Sequence, residues 1–532
     1  MSDAGALTLS ELARELPGRV EVAGDATVRV TGVHHDSRVV EAGDLFVARR
    51  GLVADGARFV EDARSRGAVA VLAERGAIDP EVAGLPVMFV DSASDGLAFA
   101  AAAVYGHPAF SLEIVGITGT NGKTTTAHLV RAAIDGALGR AACGTIGTVG
   151  HRFAGREIAA AHTTPEADEL ARVLRAMRGR GATHVAMEVS SIALILGRVR
   201  AVRFRVAALT NLTQDHLDFH GTMDAYAAAK ARLFSDYAPG AAVINVDDAF
   251  GRRLVPSIAS PLVRVSARLK MSRDDVDISP VAVTMSAQGI DATLRTPIGD
   301  VRVRSRLVGA HNLENLVVTM GIAHALELDL YRAADGVAAE PGAPGRLERA
   351  DEEGDDITVL VDYAHTPDAL GRVLDSVRAV AGRRVWCVFG CGGDRDPTKR
   401  APMGEAAARA DAVLITSDNP RSEDPAEIVL PIEEGARAAG LAPAALDALG
   451  KGDRGYLVEL DRARAIEGAV LEASSGDVVV IAGKGHEDYQ IVGTEKRHFD
   501  DREEARRALA ERRRRNTTRA TLPSIPGPTG IT

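Results

Sequence analysis

Short apolar, β-branched runs alternate with longer stretches of helical period along most of the chain. EIVGIT (Glu113–Thr118), HVAMEVS (184–190), VAALTNL (206–212) and AAVINVD (241–247) read as buried strands. Between the first two, TTTAHLVRAAIDGAL places Leu129, Val130, Ala133 and Ile134 on one side of a helix. The same alternation restarts at ITVLVDYAH (357–365), RVWCVFG (384–390), AVLITSD (412–418) and DVVVIAGKG (477–485). It predicts mainly parallel sheets flanked by helices. An earlier section of short strands and helices, with LFVA after a polar turn in DSRVVEAGDLFVARRG (36–51), runs to about 108. Thr8 and Glu11 form a capping box that opens a helix carrying Leu9, Leu12 and Leu16. Pro341, Gly342, Pro344 and Gly345 interrupt the pattern as a hinge, for which movement is expected. The expected fold is therefore α/β in three domains: 1–110, 111–340 and a Rossmann-like 341–511 without a G-x-G-x-x-G fingerprint. A basic and then Pro/Thr/Gly-rich tail, 512–532, is expected to be disordered.

Composition narrows the class. The 532 residues are 46% hydrophobic and 26% charged, enough apolar surface for cores. A net charge of −10 and a sequence pI near 5.8 argue against a general binder of nucleic acid or anionic membrane. The run Arg512–Arg515 does not change that. Cys143, Cys387 and Cys391 are too few for a disulfide scaffold and match no zinc spacing, so small buried residues are the expectation. No apolar run approaches a membrane span and the N-terminus lacks a signal pattern, which makes the cytoplasm the expected location.

The chemistry concentrates at strand ends, where α/β folds place ligands. GITGTNGKTTT (116–126) misses the common G-x-x-x-x-G-K-[ST] form by one residue, since Ile117 stands where the first glycine belongs. It keeps what the physics needs: Gly119 and Gly122 for the turn, Thr120 and Asn121 within it, Lys123 for charge, and Thr124 or Thr125 for a magnesium-binding hydroxyl. Strand before and helix behind complete the context for ATP. Glu188, at the end of the next strand, could share a magnesium ion with Thr124, although a lone strand-end glutamate is more often an ordinary surface acid. His216 follows a strand among acids. On spacing alone, Lys230 reads as a snorkelling helix lysine.

In this order, TGTNGKTTT, MEVSS, NLTQDHLDFH, YAAAKARLF, INVDD and GAHNLENL resemble the Mur ligases of peptidoglycan synthesis, whose loop characteristically reads TG-T-x-GKT. The resemblance covers nearly all the chain except the tail. It implies an ADP-forming amide ligase working through an acyl phosphate, with two magnesium ions. It implies catalytic roles for Lys123, Glu188, His216 and Lys230, the last as a carbamate that helps hold metal with Thr124, Glu188 and His216. It also puts Asn312 near the adenine and Asp362 near the ribose or phosphates.

Asp36-Ser37-Arg38 followed by GDLFVA, together with Thr163, Thr164, Ser190 and Arg198, resembles the uridine-nucleotide and muramyl contacts of the branch that adds the third stem-peptide residue. VFGCGGDRDPTKR (388–400) and SDNPRSEDP (417–425) resemble the same branch. Asp418, Asn419, Pro420 and Arg421 form the motif that goes with meso-diaminopimelate, whose far carboxylate needs a cation such as Arg421 or Arg400. Gly483 and Glu487 in AGKGHEDYQ (482–490) are implied at the far ammonium. The implied partners are UDP-N-acetylmuramoyl-L-alanyl-D-glutamate and meso-diaminopimelate, with no nucleic acid, no membrane and a monomeric enzyme. Ile192 stands where the family has histidine, Leu196 where some members have glutamine, and Ala57 where histidine is common, which weakens the muramyl-side contacts. A folylpolyglutamate synthetase, another Mur ligase, or a nucleotide-binding scaffold without chemistry are the alternatives. The scaffold reading is weakened by the presence of Lys123, Glu188, His216 and Lys230 together.

Overall fold

The structure is a computed structural model of the chain and describes residues 6–51 and 55–521. It divides into two compact units. Of the described residues, the first holds those up to 282, with 293–303 and 314–339; the second holds 283–292, 304–313 and 340–521. The division passes through the strands Ser279–Ser286, Gly289–Thr296 and Gly299–Ser305.

Besides the short antiparallel pair Leu7–Thr8 and Arg29–Val30, the first unit contains two larger sheets. One has five strands, in the order Glu21–Ala23, Val87–Val90, Ala70–Glu74, Asp44–Ala48 and Gly32–His34; the last four are mutually parallel and the first is an antiparallel edge. The expected capping box is present, with Glu11 N donating to the Thr8 hydroxyl at 3.1 Å and Thr8 N to the Glu11 carboxylate at 2.8 Å. Leu9, Leu12 and Leu16 are buried behind it. The other sheet has eight strands, and its centre runs Cys143–Gly147, His184–Glu188, Glu113–Thr118, Phe204–Leu209, Ala241–Asn245 and Leu262–Val265, all parallel. The helix Lys123–Leu138 starts directly after the loop and buries Leu129, Val130, Ala133 and Ile134, the side its period predicted. It crosses the helix Leu330–Ala338 at Gly136 and Gly336, where a Cβ on Gly136 would lie 2.6 Å from the Gly336 Cα.

A polar joint links this sheet's flanking helix to the first sheet. Asp168, on the helix Ala167–Gly179, accepts from His35 Nδ1 at 3.0 Å and from Arg172 at 3.4 Å, with His34 at 4.0 Å. Burial alone would raise its pKa. The His35 hydrogen bond and the surrounding cations outweigh that and hold it down at about 2.

The second unit is a six-stranded sheet in the order Glu348–Arg349, Thr358–Asp362, Val478–Ala482, Val385–Phe389, Ala412–Ile415 and Gly455–Val458; only the first is antiparallel. This is the parallel α/β unit expected from the restarted pattern. Its first parallel strand stops at Asp362, because the carboxylate turns back to accept from Ala364 N at 2.8 Å. All three cysteines are buried free thiols, and burial pushes Cys387 and Cys391 up to about 12.

The tail departs from expectation. The helix Asp501–Thr521 continues through the arginine run. Arg512 is buried: its Nε lies 2.7 Å from Asp356, and its Nη1 donates to the carbonyls of Val470 and Ala473. Arg513 is paired with Asp355 at 2.6 Å. Two acids just before the first long strand neutralise the basic run and tie it down, and the free carbonyls at the end of the helix Arg462–Glu472 absorb Arg512's remaining donors. Residues 522–532 of the expected tail lie outside the described residues.

Candidate active site

In the first unit the loop after Glu113–Thr118 is fixed from the neighbouring strand end. Thr120 N donates to Asn211 O and Asn121 N to Asn211 Oδ1, both at 2.9 Å; Thr210 Oγ1 donates to Asn121 O at 2.7 Å. Asn121 Nδ2 reaches Thr213 Oγ1 at 3.2 Å. Gly119 has φ 151° and Gly122 φ 85°. A Cβ on the first would run into Thr210 Oγ1 and on the second into Asn315 Oδ1, so these glycines answer both to backbone conformation and to space. Lys123 opens the helix, and its ammonium donates to Gly119 O and Thr120 O, both at 2.9 Å. Thr124 and Thr125 are buried in the first turn.

Lys230 reaches the same place from the helix Met223–Ser235. It is 1% exposed, and its Nζ donates to Gly119 O at 2.8 Å. The snorkelling alternative therefore fails, because the amine points inward. Burial, and then the nearby Lys123 charge, lower its pKa well below the usual lysine value. Its Nζ lies 4.5 Å from the ring centroid of Tyr226, whose hydroxyl is 3.3 Å from Thr120 Oγ1. His216 packs edge-on against that same ring, with centroids 6.2 Å apart. It sits in left-handed backbone at φ 51°, half-exposed, beside Asp215.

Glu188 is buried at its strand end. One carboxylate oxygen accepts from Thr148 N at 2.8 Å and the other from Thr148 Oγ1 at 3.2 Å. Its side chain fills the space that a Cβ on Gly147 would need. Thr163 Oγ1 lies 3.1 Å from Thr148 Oγ1, and Thr164 donates to Glu188 O at 2.9 Å, so the threonine pair stands around the glutamate. Ser190 caps the helix Ser191–Ile195 by accepting from Ala193 N, and Ile192 on that helix is half-buried. Arg198 donates to Thr164 O and pairs with Glu166 at 2.7 Å; Arg49 holds the other Glu166 oxygen at the same distance. Ser37 is buried at the start of a short 3-10 turn capped by Asp36. Ala57 N is taken by the Asp55 carboxylate, and Leu196 is half-buried.

In the second unit Asn312 donates to Val308 O at 2.8 Å. Asp362 is buried, and its two oxygens accept from Leu347 N and Ala364 N, both at 2.8 Å; burial raises its pKa. The segment 418–421 is docked on the hairpin Tyr489–Val492 and Glu495–His498. Arg421 N donates to Ile491 O at 3.1 Å, Gly493 N to Arg421 O at 2.7 Å, and Gln490 Nε2 to Asp418 O at 2.7 Å. Arg421 has φ 53°, and its Nη1 donates to Gly393 O at 2.7 Å. Pro420 is buried, and its carbonyl lies where a Cβ on Gly393 would project. Arg400 is buried and salt-bridged to both oxygens of Glu423, at 2.9 and 2.8 Å. Asn419 Nδ2 donates to Glu487 Oε2 at 3.1 Å. Gly483, at φ 118°, brings the strand end against Asp418.

Parts of the predicted sets come together within one unit: the loop residues with Lys230, Thr163 and Thr164 with Glu188, and 418–421 with Gly483 and Glu487; Asn312 and Asp362 belong to the second unit and the phosphate loop to the first. Sequence reasoning missed Thr148, Tyr226, Glu166 and Lys484. Tyr226 and Lys484 lie inside quoted motifs and Glu166 two residues after Thr164; nothing local marks Thr148. Among the described residues no group of three His, Cys, Asp or Glu side chains could hold a metal by itself, and no helix is long and apolar enough to cross a membrane.

Three family models match: "Mur ligase family, catalytic domain" over 29–115, "Mur ligase middle domain" over 117–323 and "Mur ligase, glutamate ligase domain" over 345–485. The chain is 45% identical over 517 residues to a UDP-N-acetylmuramoyl-L-alanyl-D-glutamate–2,6-diaminopimelate ligase of Geobacter metallireducens, covering 95% of this chain and 99% of that one. It is 44% identical over 511 residues to the protein of the same name from Streptomyces coelicolor, covering 95% and 96%. A solved structure of a ligase of that name superposes with TM-score 0.70 at 32% identity, covering 96% of this chain and 99% of that one. A MurF ligase of Thermotoga maritima solved with ADP, at 18% identity and TM-score 0.55, shares the fold.

Proposed function

The chain belongs to the Mur ligase family of three-domain, ATP-dependent, ADP-forming ligases, and on that premise we propose that it joins meso-2,6-diaminopimelate to UDP-N-acetylmuramoyl-L-alanyl-D-glutamate in peptidoglycan precursor synthesis. Its domains are taken as 1–110, 111–340 and 341–511, acting as a monomer in the cytoplasm, where a soluble nucleotide precursor would be met. One observation carries the choice of amine. Arg421 is held in left-handed backbone by the hairpin and steered by Gly393 O, a fixed guanidinium of the kind that grips a carboxylate bidentately.

In this reading the substrate carboxylate attacks the γ-phosphorus of ATP, the bond to ADP breaks, and an acyl phosphate forms. The amine of diaminopimelate then attacks the acyl carbon, loses a proton and expels phosphate. Lys123 would move its charge from the loop carbonyls to the phosphates, and the loop N–H groups and the helix N-terminus behind them would hold the transferring oxygens. Thr163, Thr164, Ser190, Arg198 and Ser37 would orient the nucleotide-sugar peptide. Asn312 and Asp362 would serve the nucleotide. Arg400, Asp418, Asn419, Pro420, Arg421, Gly483 and Glu487 would orient the amine.

The residues fit magnesium. Glu188 offers one buried carboxylate, oriented by Thr148 and given room by Gly147, which matches an ion that takes one or two carboxylates and is otherwise held by phosphates and water. Thr124, Glu188, His216 and carbamylated Lys230 would hold two such ions. When bound, they neutralise phosphate charge. Carbamylation is supported by a buried amine whose pKa is lowered, because only the neutral amine adds carbon dioxide.

The test is ADP release with the UDP-muramoyl dipeptide and either diaminopimelate, L-lysine or no amine. Turnover with diaminopimelate alone is expected. Turnover with lysine would keep the ligase and remove Arg421 as the selecting residue. No turnover with any amine, from folded protein that binds ATP, would overturn the reading.

A further inference from the structure

Lys484 is one of the largest fully buried side chains among the described residues and has no role in the reaction as set out above. It follows Gly483, whose φ of 118° turns the strand end so that the lysine points back under the 418–421 segment. A side chain at 483 would come within 3.2 Å of the Asp418 carboxylate. The Lys484 ammonium has three N–H groups to place. It donates to Tyr489 O at 2.7 Å and to Asn419 Oδ1 at 3.0 Å, and it stands 3.2 Å from Asp418 Oδ1 and 3.8 Å from Glu487 Oε2.

We infer that Lys484 is the positioning residue of the amine site: its buried ammonium sets the orientation of Asn419, Asp418 and Glu487 toward the diaminopimelate ammonium, an inference that rests on the reading above. Two consequences of its geometry support this. Asn419 Oδ1 receives Lys484 and also Ile491 N at 3.0 Å, so the amide nitrogen must face the other way, and it donates to Glu487 Oε2. The lysine therefore fixes Glu487 through Asn419 as well as by charge. Asp418 and Glu487 carry two negative charges and Lys484 returns one, leaving a net single negative charge for one incoming ammonium. The neighbouring Arg462 is neutralised mainly by Asp501, with two bonds of 2.7 Å, and donates to Ala482 O, so its charge is largely balanced outside the amine site.

The experiment compares the wild type with Lys484→Met, Lys484→Arg, Glu487→Gln and the Lys484→Met/Glu487→Gln pair. It reads kcat, KM for the amine, KM for ATP and the melting temperature. Wild-type turnover with diaminopimelate tests the parent reading by itself. The variants are assayed with whichever amine the wild type uses, so the two inferences fail separately. Lys484→Met is expected to raise KM for the amine by about tenfold or more while leaving kcat within about threefold and KM for ATP unchanged. Lys484→Arg should fall between it and the wild type. In the Glu487→Gln background the methionine should add less than about threefold, because its effect passes through Glu487. An unchanged amine KM, a parallel rise in the ATP KM, or fully additive effects would each overturn the inference. If Lys484→Met does not fold, Lys484→Arg decides: an unaltered amine KM overturns it, and a raised amine KM with the ATP KM intact upholds it.

Discussion

Thr148 donates both its backbone N–H and its hydroxyl to Glu188, one to each carboxylate oxygen, across forty residues of sequence. The pair fixes the plane of a buried carboxylate at a strand end. Removing the hydroxyl alone leaves the carboxylate free to turn. Thr148→Val should raise the magnesium concentration needed for half-maximal rate by about tenfold, and Thr148→Ser should restore most of it. A magnesium titration of steady-state ADP release reads this directly.

Lys230 lends itself to replacement. Lys230→Ala is expected to lower turnover by at least about a hundredfold and to recover in part with an added short carboxylate that occupies the vacated space. In the wild type the sign with pH follows from the lowered pKa. The neutral amine is present above that value and is lost as the pH falls through it, so the carbamate should be lost on the acid side. Activity there should rise with added bicarbonate. Intact-protein mass spectra under native conditions should show the carbon dioxide adduct in the wild type and not in the alanine variant.

Gly119 tests the loop as geometry. With φ 151° and Thr210 Oγ1 against the missing side chain, Gly119→Ala must distort the loop. ATP affinity should fall by about tenfold or more, with little change in melting temperature, because the strand and helix on either side are held elsewhere. Nucleotide titration by calorimetry distinguishes this from general destabilisation.

Asp168 makes stability depend on acid. Its carboxyl is held at about 2 against an ordinary value near 3.8. The sign is that of a depressed acid: the contribution is complete above about pH 4 and lost as the pH falls toward 2. It amounts to on the order of 2 kcal/mol. Asp168→Asn should be less stable than the wild type at neutral pH by a similar amount, and the gap should close over that window in denaturant melts.

Local pattern carried far. The strand Glu113–Thr118 and the helix Lys123–Leu138 were legible because their periods and the glycine loop between them lie within thirty residues. Lys123 was legible from its glycine loop, whereas Glu188 and Arg421 took their expected roles from the family resemblance, since a strand-end glutamate and an Asn-Pro turn are common by themselves. What stayed hidden was pairing over distance. Nothing near Glu166 announces that it clasps Arg49 and Arg198. The inward turn of Lys230 is decided by Gly119 O, more than a hundred residues away. The arginine run after 511 read as a tail because its neutralising acids, Asp355 and Asp356, lie far upstream. Period and composition report an element's own face; they do not report which charge another element will present to it.

The carbonyl of Gly119 receives both Lys123 and Lys230. Two amines on one oxygen put the nucleotide site and the modification site in one electrostatic neighbourhood. A carbamate on Lys230 would replace an amine with a negative group, so without metal it would loosen the hold on nucleotide. By reciprocity, bound nucleotide without metal would disfavour the carbamate by the same factor. Bound metal ions would reverse that sign by supplying positive charge between the two. The loop would thus count its own ligands: it would favour ATP, metal and carbamate together over any pair of anions alone, and spent ADP would leave most readily once its metal has gone.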